Sequence, residues 1–202
     1  MKKPSPASTV ERISEVALGL LEQGGPEAVT MRVVAQAVGI TPMAIYHHFP
    51  NREALLQAVT DREFDRFAAF QQARLKKMPP RARPRTVMYE LMHSYIDYAV
   101  ARPLLFDYVF SRERPAARRF PEDFRARRSP TMTPLADAVE AAMAAGWLRK
   151  DDVWEVTMQM GGSLHGWLVL YRGNRFSYTE AEFRAFCERG MDRLLAGLRN
   201  KD

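Results

Sequence analysis

The chain is short of cysteine, of histidine and of any long apolar run. One cysteine, Cys187, excludes an internal disulfide, and with four histidines in 202 residues there are too few neighbouring partners for a structural zinc site. No stretch approaches the roughly 20 apolar residues of a membrane-spanning helix, and the opening MKKPSPAST lacks the apolar core of a secretory signal. The expectation is a cytoplasmic chain with no membrane partner, no metal and no cofactor. Cys187 reads as a small buried hydrophobe on the last helix.

What is present is a hydrophobic content of 47%, too high for a disordered chain, and a length that suits two domains of about 100 residues or one small and one larger. The net charge of +6 is unevenly placed. Through Thr60 the charges balance, so the excess comes from a basic run at Arg74–Arg85 and another at Arg112–Arg128. Such runs are usually solvated faces or linkers. Net charge therefore does not mark a nucleic-acid site in this chain, but a motif does.

That motif is Thr30–Phe49, TMRVVAQAVGITPMAIYHHF. Thr30 is a helix cap, and Val33, Val34, Ala37 and Val38 recur as the stripe of a helix with one buried face. Gly39 should end it, because glycine takes positive φ without cost. Thr41 then caps a second helix with Pro42 at its first position, where a missing N–H is no loss. Ile45 and Phe49, four apart, point to the core, leaving Thr41, Met43, Tyr46 and His47 outward. Helix, glycine-bearing turn, helix is the unit that lays its second helix in the DNA major groove. The plainer alternative is an ordinary helical hairpin.

Around the motif, Ser8 with Glu11 forms a capping box for a first helix carrying Ile13, Val16, Ala17, Leu20 and Leu21. Gly24-Gly25-Pro26 ends it, and residues Lys2–Ala7 ahead of it are a short basic, proline-bearing tail, by default inert and disordered, with a DNA-reaching arm as the alternative. Asn51 caps a long helix with Leu55, Leu56, Val59, Phe64 and Phe67 inward, and Arg52 stands at its start, where a backbone amide and a positive side chain can face a phosphate.

Residues 9–60 resemble the amino-terminal DNA-binding domain of the tetracycline-repressor (TetR) family, through GGPEAVTMRVVAQAVGIT, PMAIYHHFPNREALLQAV and the capped first helix. The resemblance implies an all-α fold, with a three-helix helix-turn-helix head over 1–60 and a larger helical effector-binding and dimerisation domain over 61–202. It implies a homodimer, a double-stranded DNA operator and a small-molecule effector as partners. Tyr46 matches the family's phosphate-contacting aromatic, Thr30 and Thr41 its contacts at helix starts, and Arg52 its phosphate anchor. Thr41, Pro42, Met43 and His47 would then face base edges. Between Thr41 and Phe49 there is no Arg, Asn or Gln for a bidentate contact, so Arg32 and Gln36 on the preceding helix are the candidate readers.

The remainder reads as further helices. Pro79-Pro80 place a loop, and a helix from about Pro84 carries Val87, Met88, Leu91, Met92, Tyr95, Ile96 and Ala99. Leu104–Phe110 suits a short buried helix, the arginine- and proline-rich stretch after it has no clear assignment, and a helix follows over about Pro134–Ala145. Asp151 or Asp152 caps a helix to about Tyr171, with Gly161-Gly162-Ser163 leaving room for a close helix or a ligand. Thr179 and Glu182 box the final helix, and the last two helices are the expected dimer surface. SLHGWLVL is similar to the Trp-His-Gly type of carboxy-terminal domain in this family, although Trp167 here follows His165-Gly166.

The expected function is a ligand-responsive transcriptional regulator, most often a repressor in this family. Its effector would meet Met88, Met92, Tyr95, Phe106, Phe110, Trp147, Met158 and His165, residues a plain core also uses. Two competitors stand beside it. One is an adaptor with a vestigial head. The other is an all-α enzyme, for which His93, His165, Cys187, Asp97, Asp107 and Glu140 are present but at no recognised catalytic spacing.

Overall fold

A computed structural model describes residues 8–111, 113 and 117–200. The amino-terminal tail Lys2–Ala7 lies outside them. Among the described residues the chain is helical, without strands apart from an isolated bridge between Leu148 and Arg199. It forms two compact units, one from the described parts of 1–65 and 102–116, the other from those of 66–101 and 117–202. These are not two consecutive stretches divided at residue 60, because the segment after Arg102 groups with the head.

In the first unit, α1 (Thr9–Gly24) begins at the Ser8–Glu11 capping box and packs on α2 (Met31–Val38). Thr30 Oγ1 accepts from Val33 N at 3.2 Å, and α2 ends at Gly39, whose φ of 78° is left-handed. The stripes are rotated from those expected. On α2, Val33 and Ala37 are exposed and the buried positions are Met31, Val34, Ala35 and Val38. On α1, Leu18 and Ser14 are buried while Val16 and Leu20 are only half-buried. When consecutive residues are all apolar, spacing alone does not choose the face. Neighbouring helices do.

α3 (Pro42–Tyr46) follows, and α4 (Arg52–Leu75) starts at Asn51, whose Oδ1 accepts from Ala54 N at 2.8 Å. Ile13, Leu21, Val34, Ile45, Phe49 and Leu55 form the core of the head. Each such side chain contributes about 1.5–3 kcal/mol on burial, which is what allows a five-residue α3 to persist. α6 (Pro103–Phe106) packs against α1 and runs into a wider helical turn at Asp107–Ser111. Phe110 lies 5.3 Å from both Phe106 and Phe64 between ring centres. Leu104 at the start of this segment is exposed, so the expected buried helix is buried on one side only.

The second unit holds the end of α4, α5 (Pro84–Ala101), α7 (Glu122–Arg125), α8 (Thr133–Ala144), α9 (Val153–Arg172) and α10 (Glu180–Gly197). α5 packs on α8, α9 and α10. The short α7 occupies the arginine-rich stretch that the sequence left unassigned. Asp152 caps α9 through Trp154 N and Glu155 N, and Thr179–Glu182 boxes α10. Gly161 answers one expectation: a side chain there would come within 2.7 Å of the Met132 methyl, so the small residue admits a packed methionine. Gly162 has open space instead.

Candidate functional site

The outward face of α3 is built from its start. Thr41 Oγ1 accepts from Ala44 N at 3.2 Å, and Pro42 fills the first helical position. Ile45 is buried and anchors the helix from below. With Ile45 inward, Thr41, Pro42, Met43, Tyr46 and His47 are all exposed, Met43 at 71%. On α2, Arg32 and Gln36 are exposed as well, and so is Thr30 at its cap. The nine residues expected at a DNA surface thus lie on the head. Eight are exposed, and Arg52 is half-buried.

Arg52 has partners inside the protein. Its Nε donates to the Val29 carbonyl at 2.7 Å and a terminal nitrogen donates to the Pro26 carbonyl, with Glu27 a distant 3.9 Å away. It holds the turn between α1 and α2 in place. Arg12, which sequence reasoning did not single out, does the same at the other end of α2, donating to the Val38 carbonyl at 2.7 Å. A basic residue on a helix face among carbonyl-rich turns is a weak signal, and nothing local marks it as structural.

The eight residues expected to meet an effector fall in several places. Phe106 and Phe110 pack on each other in the first unit. In the second, Met88 and Met92 are buried on α5, Trp147 lies under the Arg199 guanidinium at 5.6 Å, and Met158 is half-buried on α9. The structure brings Tyr95 and His165 together, the hydroxyl 3.0 Å from Nδ1. Burial pushes the Tyr95 pKa well above its ordinary value, so the hydroxyl keeps its proton. His165 is thus a hydrogen-bonded histidine within an apolar setting. Burial likewise pushes the Cys187 thiol up to about 12, which leaves it inert.

An ion-pair chain runs through the same unit. Arg74 on α4 bonds Glu90 and Asp97, and Arg184 on α10 bonds Asp97 and Glu180, each at 2.7 Å. Arg74 therefore belongs to a paired network, not to a free basic run. Burial opposes ionisation of Asp97, but hydrogen bonds from Arg74 and Arg184 outweigh it and hold the carboxyl below its ordinary range. Among the described residues no group of three or more His, Cys, Asp or Glu converges as a metal site would require. No described helix is long and apolar enough to cross a membrane.

Comparison with known proteins matches both parts of the chain. Residues 13–59 match the bacterial regulatory proteins of the tetR family, and residues 88–194 match the tetracyclin repressor-like carboxy-terminal domain. The HTH-type transcriptional repressor KstR of Rhodococcus jostii is 36% identical over 96 residues, 47% of this chain and 42% of that protein. The HTH-type transcriptional repressor ComR of Escherichia coli is 41% identical over 59 residues, 29% of this chain and 28% of that protein. The chain thus aligns with less than half the length of these curated relatives. Among solved structures, a Rhodococcus protein of unknown function superposes with a TM-score of 0.80 at 21% identity, covering 98% of this chain and all of that one. The Bacillus subtilis regulator FadR, solved in complex with stearoyl-CoA, gives 0.71 at 14% identity, covering 93% and 98%. At such identities the likeness is one of fold. The two family matches, one of them spanning more than half of the chain, place this protein in the TetR family.

Proposed function

We propose that the chain is a ligand-responsive transcriptional repressor that binds an operator as a homodimer and leaves it when an apolar or amphipathic effector binds. It is a cytoplasmic regulator in this reading, not an enzyme, with the first unit serving DNA and the second serving effector and dimer. The observation that carries the reading is the outward face of α3, capped, anchored by buried Ile45 and presenting Met43, Tyr46 and His47 to solvent. Thr30, Thr41 and Tyr46 contact phosphates, and the exposed third of the Arg52 side chain offers its remaining N–H groups to one. Pro42, Met43 and His47 meet base edges weakly, so Arg32 and Gln36 carry much of the reading.

Dimerisation uses α9 and α10. Gly162 and Gly166 have open space above them, and Val169 and Leu170 on the same helix are exposed, which suits close approach of a second copy. A protomer mass in light scattering would overturn this. Of the effector candidates, Met88, Met92, Tyr95, Trp147, Met158 and His165 lie in the second unit and supply apolar and aromatic surface with few polar groups. Effector binding must favour one separation of the two heads over the roughly 34–36 Å that successive major grooves demand.

An anisotropy titration with DNA from the gene's own upstream region tests the function. Binding that prefers this DNA over a scrambled duplex and weakens steeply with salt is expected, with Tyr46→Ala lowering affinity at least tenfold. Salt-insensitive or absent binding, or a Tyr46→Ala protein indistinguishable from the parent, favours the adaptor with a vestigial head.

A further inference from the structure

The second unit carries a buried polar group that effector binding, as described, leaves unused. Gln71, on the part of α4 that belongs to this unit, is 3% exposed. Its Nε2 donates to Ser94 Oγ at 3.2 Å, and the Ser94 hydroxyl donates to the Leu91 carbonyl at 2.7 Å. This order decides which way the amide lies. With the Ser94 proton on Leu91 at the shorter distance, its oxygen accepts and the NH2 end of Gln71 faces it. The Gln71 carbonyl Oε1 is thereby left buried without a hydrogen-bond donor from the protein.

An unmatched amide carbonyl in the interior is destabilising, whereas an apolar side chain of similar shape is not. A glutamine at this position therefore has an acceptor to offer a bound molecule. Its neighbours suit an apolar body. Phe67, one turn earlier on α4, lies 4.7 Å from Tyr98 and 6.0 Å from Tyr95 between ring centres. Tyr95, beside Ser94 on α5, is held by His165, so its hydroxyl already has a partner.

The geometry points to Gln71 as the polar reader of the effector: Oε1 accepts a hydrogen bond from a hydroxyl or N–H group on an otherwise apolar molecule lodged beside Phe67, Tyr95 and Tyr98. This rests on the effector-binding reading above and narrows it to a class. A carbonyl oxygen cannot pair with a carboxylate or an ether oxygen, so the favoured effectors are apolar alcohols, phenols or amides with a free N–H. Gln71 and Arg52 lie on one continuous helix, α4.

The test uses the full chain, its Gln71→Met variant and two matched pairs of probes, 1-decanol with decyl methyl ether and 1-naphthol with 1-methoxynaphthalene, read by thermal melting and calorimetry. The free variant is expected to melt about 2–4 °C above the parent, since it removes an unmatched acceptor. In the parent, the hydroxyl member of at least one pair should raise the melting temperature more than its ether. In the variant that preference should vanish, with affinity for the hydroxyl probe down about tenfold. A variant that melts lower and binds the alcohols as the parent does makes the amide a structural group matched by buried water, and overturns the proposal. Equal binding of alcohol and ether by the parent, or a preference that survives in the variant, overturns it while leaving effector binding standing. No response to any probe overturns the proposal and the effector reading together.

Discussion

Two arginines in the first unit and two in the second do different work. Beside the helix-turn-helix, Arg12 and Arg52 donate to the main-chain carbonyls of Val38, Val29 and Pro26. In the second unit Arg74 and Arg184 donate to Glu90, Asp97 and Glu180. A carbonyl takes the hydrogen bonds without cancelling the charge, whereas a carboxylate does both. The head can therefore use guanidinium groups to hold its turns and still present positive charge to a phosphate. The second unit uses them to tie α4, α5 and α10 together at little net charge.

The strongest way to probe this contrast lies where the first unit departs from it. Glu63 is 1% exposed and accepts from Arg102 at 2.6 Å, and Arg102 also pairs with Glu22 at 3.3 Å. Removing one partner of a buried pair costs about 3–5 kcal/mol, and the partial exposure of Arg102 reduces this to about 2–3. Arg102→Ala is expected to lower the melting temperature by roughly 4–12 °C, and adding Glu63→Gln should recover most of the loss. A double variant no more stable than the single one would show that the buried carboxylate was not the source.

Arg52→Ala should come next, at about 1–2 kcal/mol together with weaker DNA binding, because a charged fork on two carbonyls is removed from a half-exposed site. Arg52→Lys keeps the charge but not the fork. If the carbonyl contacts matter, lysine restores phosphate attraction but not stability in a denaturant melt. Full rescue of both would reduce Arg52 to a point charge. On the DNA face itself, Arg32→Ala should relax discrimination between the upstream DNA and single-base variants of it, by about 1–3 kcal/mol at the affected position, more than Met43→Ala does. A larger change at Met43 would shift specificity back to α3.

The smallest effect concerns the ion-pair chain. Asp97 has its folded pKa held below the unfolded value, so its contribution to stability is present above about pH 4 and is lost as pH falls through the folded pKa. Asp97→Asn should lower stability slightly at pH 7 and flatten the acid limb of the melting curve below about pH 4. An unchanged acid limb would assign acid sensitivity to other carboxylates.

What could be read in advance follows from how far each signal travels along the chain. Ser8–Glu11, Thr30, Thr41-Pro42, Asn51 and Thr179–Glu182 act across three residues, so the helix starts they mark are where expected. Ile45 and Phe49 were legible for the same reason. Which unit holds each effector candidate was not, because apolar residues on α5 and after Arg102 carry the same signal whichever unit buries them. The trace of Gln71 in the sequence is a polar residue one turn after Phe67 on the buried stripe of α4.

By itself the sequence determined the helical elements of the head, its turn at Gly39, the exposure of Met43, Tyr46 and His47, and the family resemblance that the two matches establish. Tertiary structure decided which face of α1 and α2 is buried, that the segment after Arg102 joins the head, that Arg52 grips carbonyls, and that Gln71 Oε1 is left without a protein donor. The first group depends on contacts within a turn or two of helix. The second depends on pairs 16 or more residues apart, such as Arg52 with Val29 or Gln71 with Ser94, each 23 residues apart, and only packing brings these within reach.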